Sequence, residues 1–211
     1  MMVMVTNSCG MRTGYLQGKH GGLGHLFSPG GQRGPYSFMP YALDNGRYPA
    51  WENETDWIYE DWISLLRWTA RSGQRPLWAL VPDVVGDAPA TIDAWNRYSG
   101  DVASILPGVS LAFAAQDGMD PDDVPGSASV VFIGGTTEWK WQNLHRWTDA
   151  FGRVHVGRVN GYRGLVACRD LGVESVDGTG WFRGDEGQTR GLIRFLDEEA
   201  NGIRQTTAFS R

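Results

Sequence analysis

The chain has 211 residues, 41% of them hydrophobic and 20% charged, with a formal net charge of −5. That length suits one domain able to bury its own core, and the acidic balance runs against a general polyanion binder, which is usually basic. No apolar run of about 18 residues could span a bilayer and no signal peptide is legible, so a soluble, cytoplasmic protein with no membrane partner is expected.

The first strand is expected in MVMVTN (2–7). Residues 8–38, SCGMRTGYLQGKHGGLGHLFSPGGQRGPYSF, are too rich in glycine and too poor in apolar periodicity for a helix. They predict a long loop over the carboxyl-terminal face, acting as a lid or a mobile segment. Further β-like runs are PYAL (40–43), WALVP (78–82), VSLAFAA (109–115), SVVFI (129–133), RVHVG (153–157) and VESV (173–176). They are nearly continuous in apolar residues, as strands buried on both faces are.

Amphipathic stretches lie between them. Ile58, Trp62, Leu65 and Leu66 share one helical face, and Thr91, Trp95, Tyr98, Val102 and Ile105 share another. Asp87 before Ala-Pro-Ala predicts an N-cap with Pro89 in the first turn, while Gly152 and Gly172 stand where helices stop. Seven strands alternating with helices predict an α/β, TIM-type (β/α) barrel over 1–211 as one domain. After a helix near 189–200 only GIRQTTAFSR remains. The eighth strand is therefore not legible, and a minimal barrel, imperfectly closed or closed by a terminal segment, is expected.

Four runs break off at a carboxylate or amide followed by glycine: PYALDNG, LVPDVVGD, LAFAAQDG and VESVDGTG. Asp44, Asp83, Gln116 and Asp177 should then project from the carboxyl ends of parallel strands, where β/α barrels keep their active sites. Any one of them is ordinary turn chemistry; four together argue for a constellation that grips one substrate. FIGGTTEWK matches neither a dinucleotide fingerprint nor a P-loop. Its Gly134 and Gly135 predict a strand end where backbone comes close to a ligand.

Cys9 and Cys168 stand far apart without a Cys/His cluster, and His20 and His25 lack a third ligand nearby. No metal and no other cofactor is expected. Residues 151–211 hold nine arginines against eight acids, so Arg153, Arg158, Arg163, Arg169 and Arg183 form either a phosphate-facing surface or solvated helix faces.

The ordered series LDNG, PDVVGD, AQDG, FIGG and VGRVNG leading into GVESVDGTG resembles the tRNA-guanine transglycosylase superfamily, over about residues 25–180. It looks closest to the small phage branch of queuine tRNA-ribosyltransferase-like or DNA-guanine transglycosylases. The resemblance implies a pentosyltransferase that exchanges guanine for a 7-deazaguanine in nucleic acid. It gives Asp177 the role of nucleophile at C1′ and Asp44 that of general acid/base, while Asp83 pairs with the N1–H and 2-amino donors of guanine. Gln116 with Gly134 and Gly135 would meet the purine O6 edge. Arg158 would contact phosphate and Asn160 the sugar or base, or both would belong to a strand-end hydrogen-bond network. Trp139, Trp141 and Trp181 would stack on a base or pack in the core.

The chain departs from the tRNA-acting members in lacking their C-terminal zinc cluster. The resemblance therefore implies DNA rather than tRNA, with a free nucleotide also open. A hydrolytic N-glycosidase and a non-catalytic nucleobase-binding protein stand as alternatives, and the oligomeric state is left open.

Overall fold

In the computed structural model, residues 1–6, 10–31, 37–182 and 185–203 are described. Eight parallel strands close into a barrel in chain order: β1 (Met2–Thr6), β2 (Leu23–Phe27), β3 (Tyr41–Leu43), β4 (Ala79–Leu80), β5 (Leu111–Ala115), β6 (Val130–Ile133), β7 (Val154–Val156) and β8 (Ser175–Gly178). The helices are α1 (Met11–His20), α2 (Arg47–Glu52), α3 (Tyr59–Arg71), α4 (Ala88–Ile105), α5 (Thr137–Ala150), α6 (Tyr162–Asp170) and α7 (Glu186–Ala200).

The TIM-type expectation holds, and two details of it are corrected. Residues 8–38 are not one loop, because α1 and β2 lie inside them. Thr13 and Leu16 of α1 are buried, which anchors a helix of low intrinsic propensity by tertiary packing. Gly21 and Gly22, at φ of 69° and 75°, end the helix in a conformation that branched residues resist. The barrel is also neither incomplete nor closed by the terminal segment. β8 pairs directly with β1, Met4 opposite Asp177, and the strand missing from the sequence reading is β2.

Alternation along the strands separates two apolar layers. Val3, Val5, Phe27, Leu43, Val81, Phe113, Ile133, Val156 and Val176 pack with the helices in the larger cluster. Met4, Leu26, Ala42, Trp78, Leu80, Ala112, Ala114 and Val130 fill the interior. Small residues on β3 and β5 leave room there for the fully buried indole of Trp78.

α4 and α6 follow their sequence signals. Asp87 caps α4 by accepting from Ala90 N at 2.9 Å, and Gly172, at φ 74°, follows the end of α6. Trp62, Leu65 and Leu66 are buried along α3, whereas Ile58 is the exposed residue preceding its first turn.

Candidate active site

The inward parity of the strands carries chemistry to the carboxyl-terminal rim. Ala42 leads by two to Asp44, Ala114 to Gln116 and Ser175 to Asp177, so rows that pack the interior end in polar groups at its mouth.

Asp83, just after β4, is 7% exposed. Asn45 Nδ2 donates to its Oδ1 at 2.8 Å and Gln116 Nε2 donates to its Oδ2 at 2.7 Å. Both amides are themselves held. Asn45 Nδ2 also donates to Val81 O at 3.0 Å, and its Oδ1 accepts from Arg47 N at 2.8 Å. Gln116 Oε1 accepts from Gly86 N at 3.1 Å. Burial raises the Asp83 pKa, with the Asn45 and Gln116 amides and the Arg47 charge opposing the rise. The result is a carboxylate of fixed orientation with lone pairs left to accept from a ligand.

Asp44 is half-buried at the end of β3. Burial first, then the charge of Asp177 and more weakly that of Asp83, push its pKa from 3.8 up to about 7, against the hydrogen bond it accepts from Gly46 N at 3.3 Å. The carboxyl ends of β3, β4 and β8 share one rim of the closed parallel barrel, so Asp44, Asp83 and Asp177 stand around one mouth.

Asp177 is 6% exposed. Its Oδ1 lies 3.0 Å from His155 Nε2, and His155 Nδ1 lies 2.8 Å from Ser175 Oγ. With Nε2–H donating to the carboxylate, Nδ1 is left to accept from the serine hydroxyl. The imidazole is fully buried, stacked on Phe132 at 4.7 Å and edge-on to Trp78 at 4.8 Å. Its position leaves it little freedom to turn, so it orients Asp177 from below.

The turn after β6 is built differently from the sequence expectation. Gly134 N donates to Ala115 O at 3.1 Å, so this amide is used inside the fold. Gly135 has φ 60°, and a Cβ there would press into the Trp139 ring at 2.7 Å. Asp117, next to Gln116, accepts from Thr136 N at 2.6 Å and from Thr136 Oγ1 at 2.7 Å, which ties the β5 turn to the start of α5.

Arg158, at φ 58°, donates to Gly135 O and lies 4.5 Å over the Tyr48 ring, bridging the turns after β6 and β7 to α2. Asn160 is exposed beside Gly178.

Among the described residues, the arginines expected on one face do not share a surface. Arg153 precedes β7 at the opposite end of the barrel, bidentate to Glu174 at 2.7 and 2.8 Å. Arg169 pairs with Asp170 and Glu199. Arg163 is exposed on α6, while Arg183 lies outside the described residues, as does Cys9. The tryptophans also resolve: Trp181 is fully buried, Trp139 packs on Trp147 at 6.0 Å, and Trp141 is exposed on α5. Among the described residues no cluster of three or more His, Cys, Asp or Glu forms a metal-binding group.

The sequence reading missed Asn45, Tyr48 and Lys140. Asn45 sits inside the quoted LDNG but reads as a turn former. Lys140 is one of two lysines in the chain, a rarity that could have marked it.

No family model matches the chain, and no curated protein matches it. Solved structures do match in shape. 3-Hexulose-6-phosphate synthase from Salmonella typhimurium is 12% identical, covering 94% of this chain and 99% of that one, at a TM-score of 0.52. KGPDC from Streptococcus mutans is 12% identical, covering 95% and 97%, at 0.54. A chain of the tryptophan synthase a2b2 complex from Pyrococcus furiosus is 13% identical, covering 96% and 97%, at 0.54.

These likenesses bear on the fold. They also correct the expected resemblance: the barrels named above are synthases and KGPDC rather than guanine transglycosylases, and no sequence match supports that family. Guanine exchange in DNA or tRNA, and the pentosyltransferase assignment with it, is withdrawn. A strand-end carboxylate followed by glycine is turn chemistry that any β/α barrel uses, so the ordered motifs report the barrel and not the family.

Proposed function

We propose that the chain is an enzyme that moves a proton on a small hydroxyl- or carbonyl-bearing molecule held at the carboxyl-terminal mouth of the barrel. One observation carries this reading: Asp44, Asp83 and Asp177, from three separate strand ends, converge at one mouth. Near neutrality Asp44 divides between acid and carboxylate, the condition in which one group serves as both proton donor and acceptor. Asp83, tied by two amides, offers a fixed acceptor to a ligand hydroxyl. Asp177, steadied by His155, supplies the neighbouring charge that keeps Asp44 in its working range. Carboxylates at closely spaced positions with environments that separate their proton affinities are a recurrent sign of acid–base work.

The test is proton exchange with solvent. The protein is incubated in D2O with hydroxyaldehydes, hydroxyketones and their phosphate esters, and the C–H signals beside the carbonyl are followed by proton NMR. Sugar phosphates head the panel because one of the similar barrels is named for a hexulose phosphate. Deuterium uptake that follows a group titrating near 7 and is lost in Asp44→Asn supports the reading. Uptake unchanged in Asp44→Asn, or none across the panel, counts against it.

A further inference from the structure

We propose that Lys140 is a positioning residue of this site: its buried ammonium holds the carbonyl of Gly157 and keeps a positive charge behind the Asp177 carboxylate. The inference deepens the acid–base reading above and takes Asp177 from it.

Lys140 is 1% exposed and lies in the first turn of α5, the positive end of the helix dipole. A cation is doubly unfavourable there. Burial strips its hydration, and the aligned peptide dipoles repel it. An unbranched apolar side chain such as methionine would fill the same space without either cost.

The contacts show what the charge faces. Nζ donates to Gly157 O, at the end of β7. Gly157 backs directly onto the site, since a Cβ there would stand 3.4 Å from Asp177 Oδ1, and the next residue is Arg158. Among the described residues, the ionisable groups that act on Lys140 are Arg158 from the turn after β7, Asp177 from β8 and Cys168 from α6. Cys168 is a buried thiol pushed up to about 12, so it supplies no counter-charge at neutral pH. Arg158 repels. Among the described residues Asp177 is the remaining attractive partner, and it belongs to the site. Burial first, then Arg158, draw the Lys140 pKa down to about 8, with Asp177 opposing. A charge kept at such a disadvantage, in electrostatic contact with the site, is placed for function.

The chain contains only Lys19 and Lys140, so 13Cε-lysine labelling gives two signals that separate by exposure. Asp177→Asn should lower the Lys140 midpoint by about half a pH unit, the screened effect of removing one nearby charge. Reciprocally, Lys140→Met should move the Asp177 midpoint upward, while thermal stability stays level or rises. Lys140→Arg, which keeps the charge, should leave Asp177 in place. An Asp177 midpoint unmoved in Lys140→Met, or a Lys140 midpoint indifferent to Asp177→Asn, overturns the proposal. If Lys140→Met does not fold, the Asp177→Asn arm decides alone. None of these readings uses a substrate. A failed deuterium exchange with intact coupling would therefore reject the acid–base activity and leave the placement of Lys140 standing.

Discussion

Removing the Asp44 charge should stabilise the protein at neutral pH while disabling it. In the folded chain Asp44 has its pKa raised from 3.8 to about 7, first by burial and then by Asp177. A group whose folded value lies above its unfolded value favours folding most when protonated, so its contribution is greatest below about pH 4 and fades as pH rises toward 7. A rise of about three units corresponds to about 4 kcal/mol at 1.36 kcal/mol per unit; because Asp44 is only half-buried, water reduces this to about 2 kcal/mol.

Asp44→Asn keeps the shape and carries no charge. Its stability relative to wild type should be near zero at pH 4, grow between pH 4 and 7, and level off at about +2 kcal/mol above pH 7. For a chain of this size that is about 4–8 °C in melting temperature. Urea unfolding of both proteins at half-unit pH steps measures the difference directly. A difference that does not change with pH, or an asparagine variant less stable than wild type at pH 8, refutes the assignment of strained charge to Asp44.

Gly135→Ala should cost at least about 2 kcal/mol, because φ 60° disfavours a Cβ and that atom would strike the Trp139 ring; a urea midpoint within error of wild type contradicts this. His155→Phe keeps a ring between Phe132 and Trp78 but leaves Ser175 Oγ and Asp177 Oδ1 without their partner, with an expected loss of about 1–3 kcal/mol. Unchanged stability there would mean that the imidazole contributes packing alone. Raising the pH of wild type from about 8 to 10 should add stability as Lys140 sheds a proton that the unfolded chain still holds, and Lys140→Met should lack that rise. Parallel curves for the two proteins would contradict it.

Much of the barrel was legible because β1 and β3 to β8 are apolar runs that need no partner information to be read. β2, LGHLF, was hidden by an internal glycine, a buried histidine and glycine-rich flanks, and α1 by Gly14 and Gly18 on a helix held by tertiary burial. Missing β2 also obscured closure, since seven strands left β1 and β8 without an evident reason to meet.

At the site, Asp44, Gln116 and Asp177 were legible as strand-end polar groups because alternation along a strand fixes the face on which each emerges; Asp83 continues the outward row of Ala79 and Val81 and was legible only as a carboxylate just past a strand. Asn45 was not, since an amide between Asp and Gly reads as turn chemistry whether or not it reaches back to another strand. Lys140 was invisible for a similar reason: a lysine on a helix is usually solvated, and only packing reveals that this one points inward. The short motifs also proved too general to carry a family, because they encode the geometry of strand ends more than the identity of a substrate.

The most direct test of the account is the titration of the Asp44 carboxyl carbon by 13C NMR, assigned by its loss in Asp44→Asn and repeated in Asp177→Asn. The account predicts a midpoint near 7 in wild type that falls when the Asp177 charge is removed. A midpoint near 4, unmoved by Asp177→Asn, would contradict it.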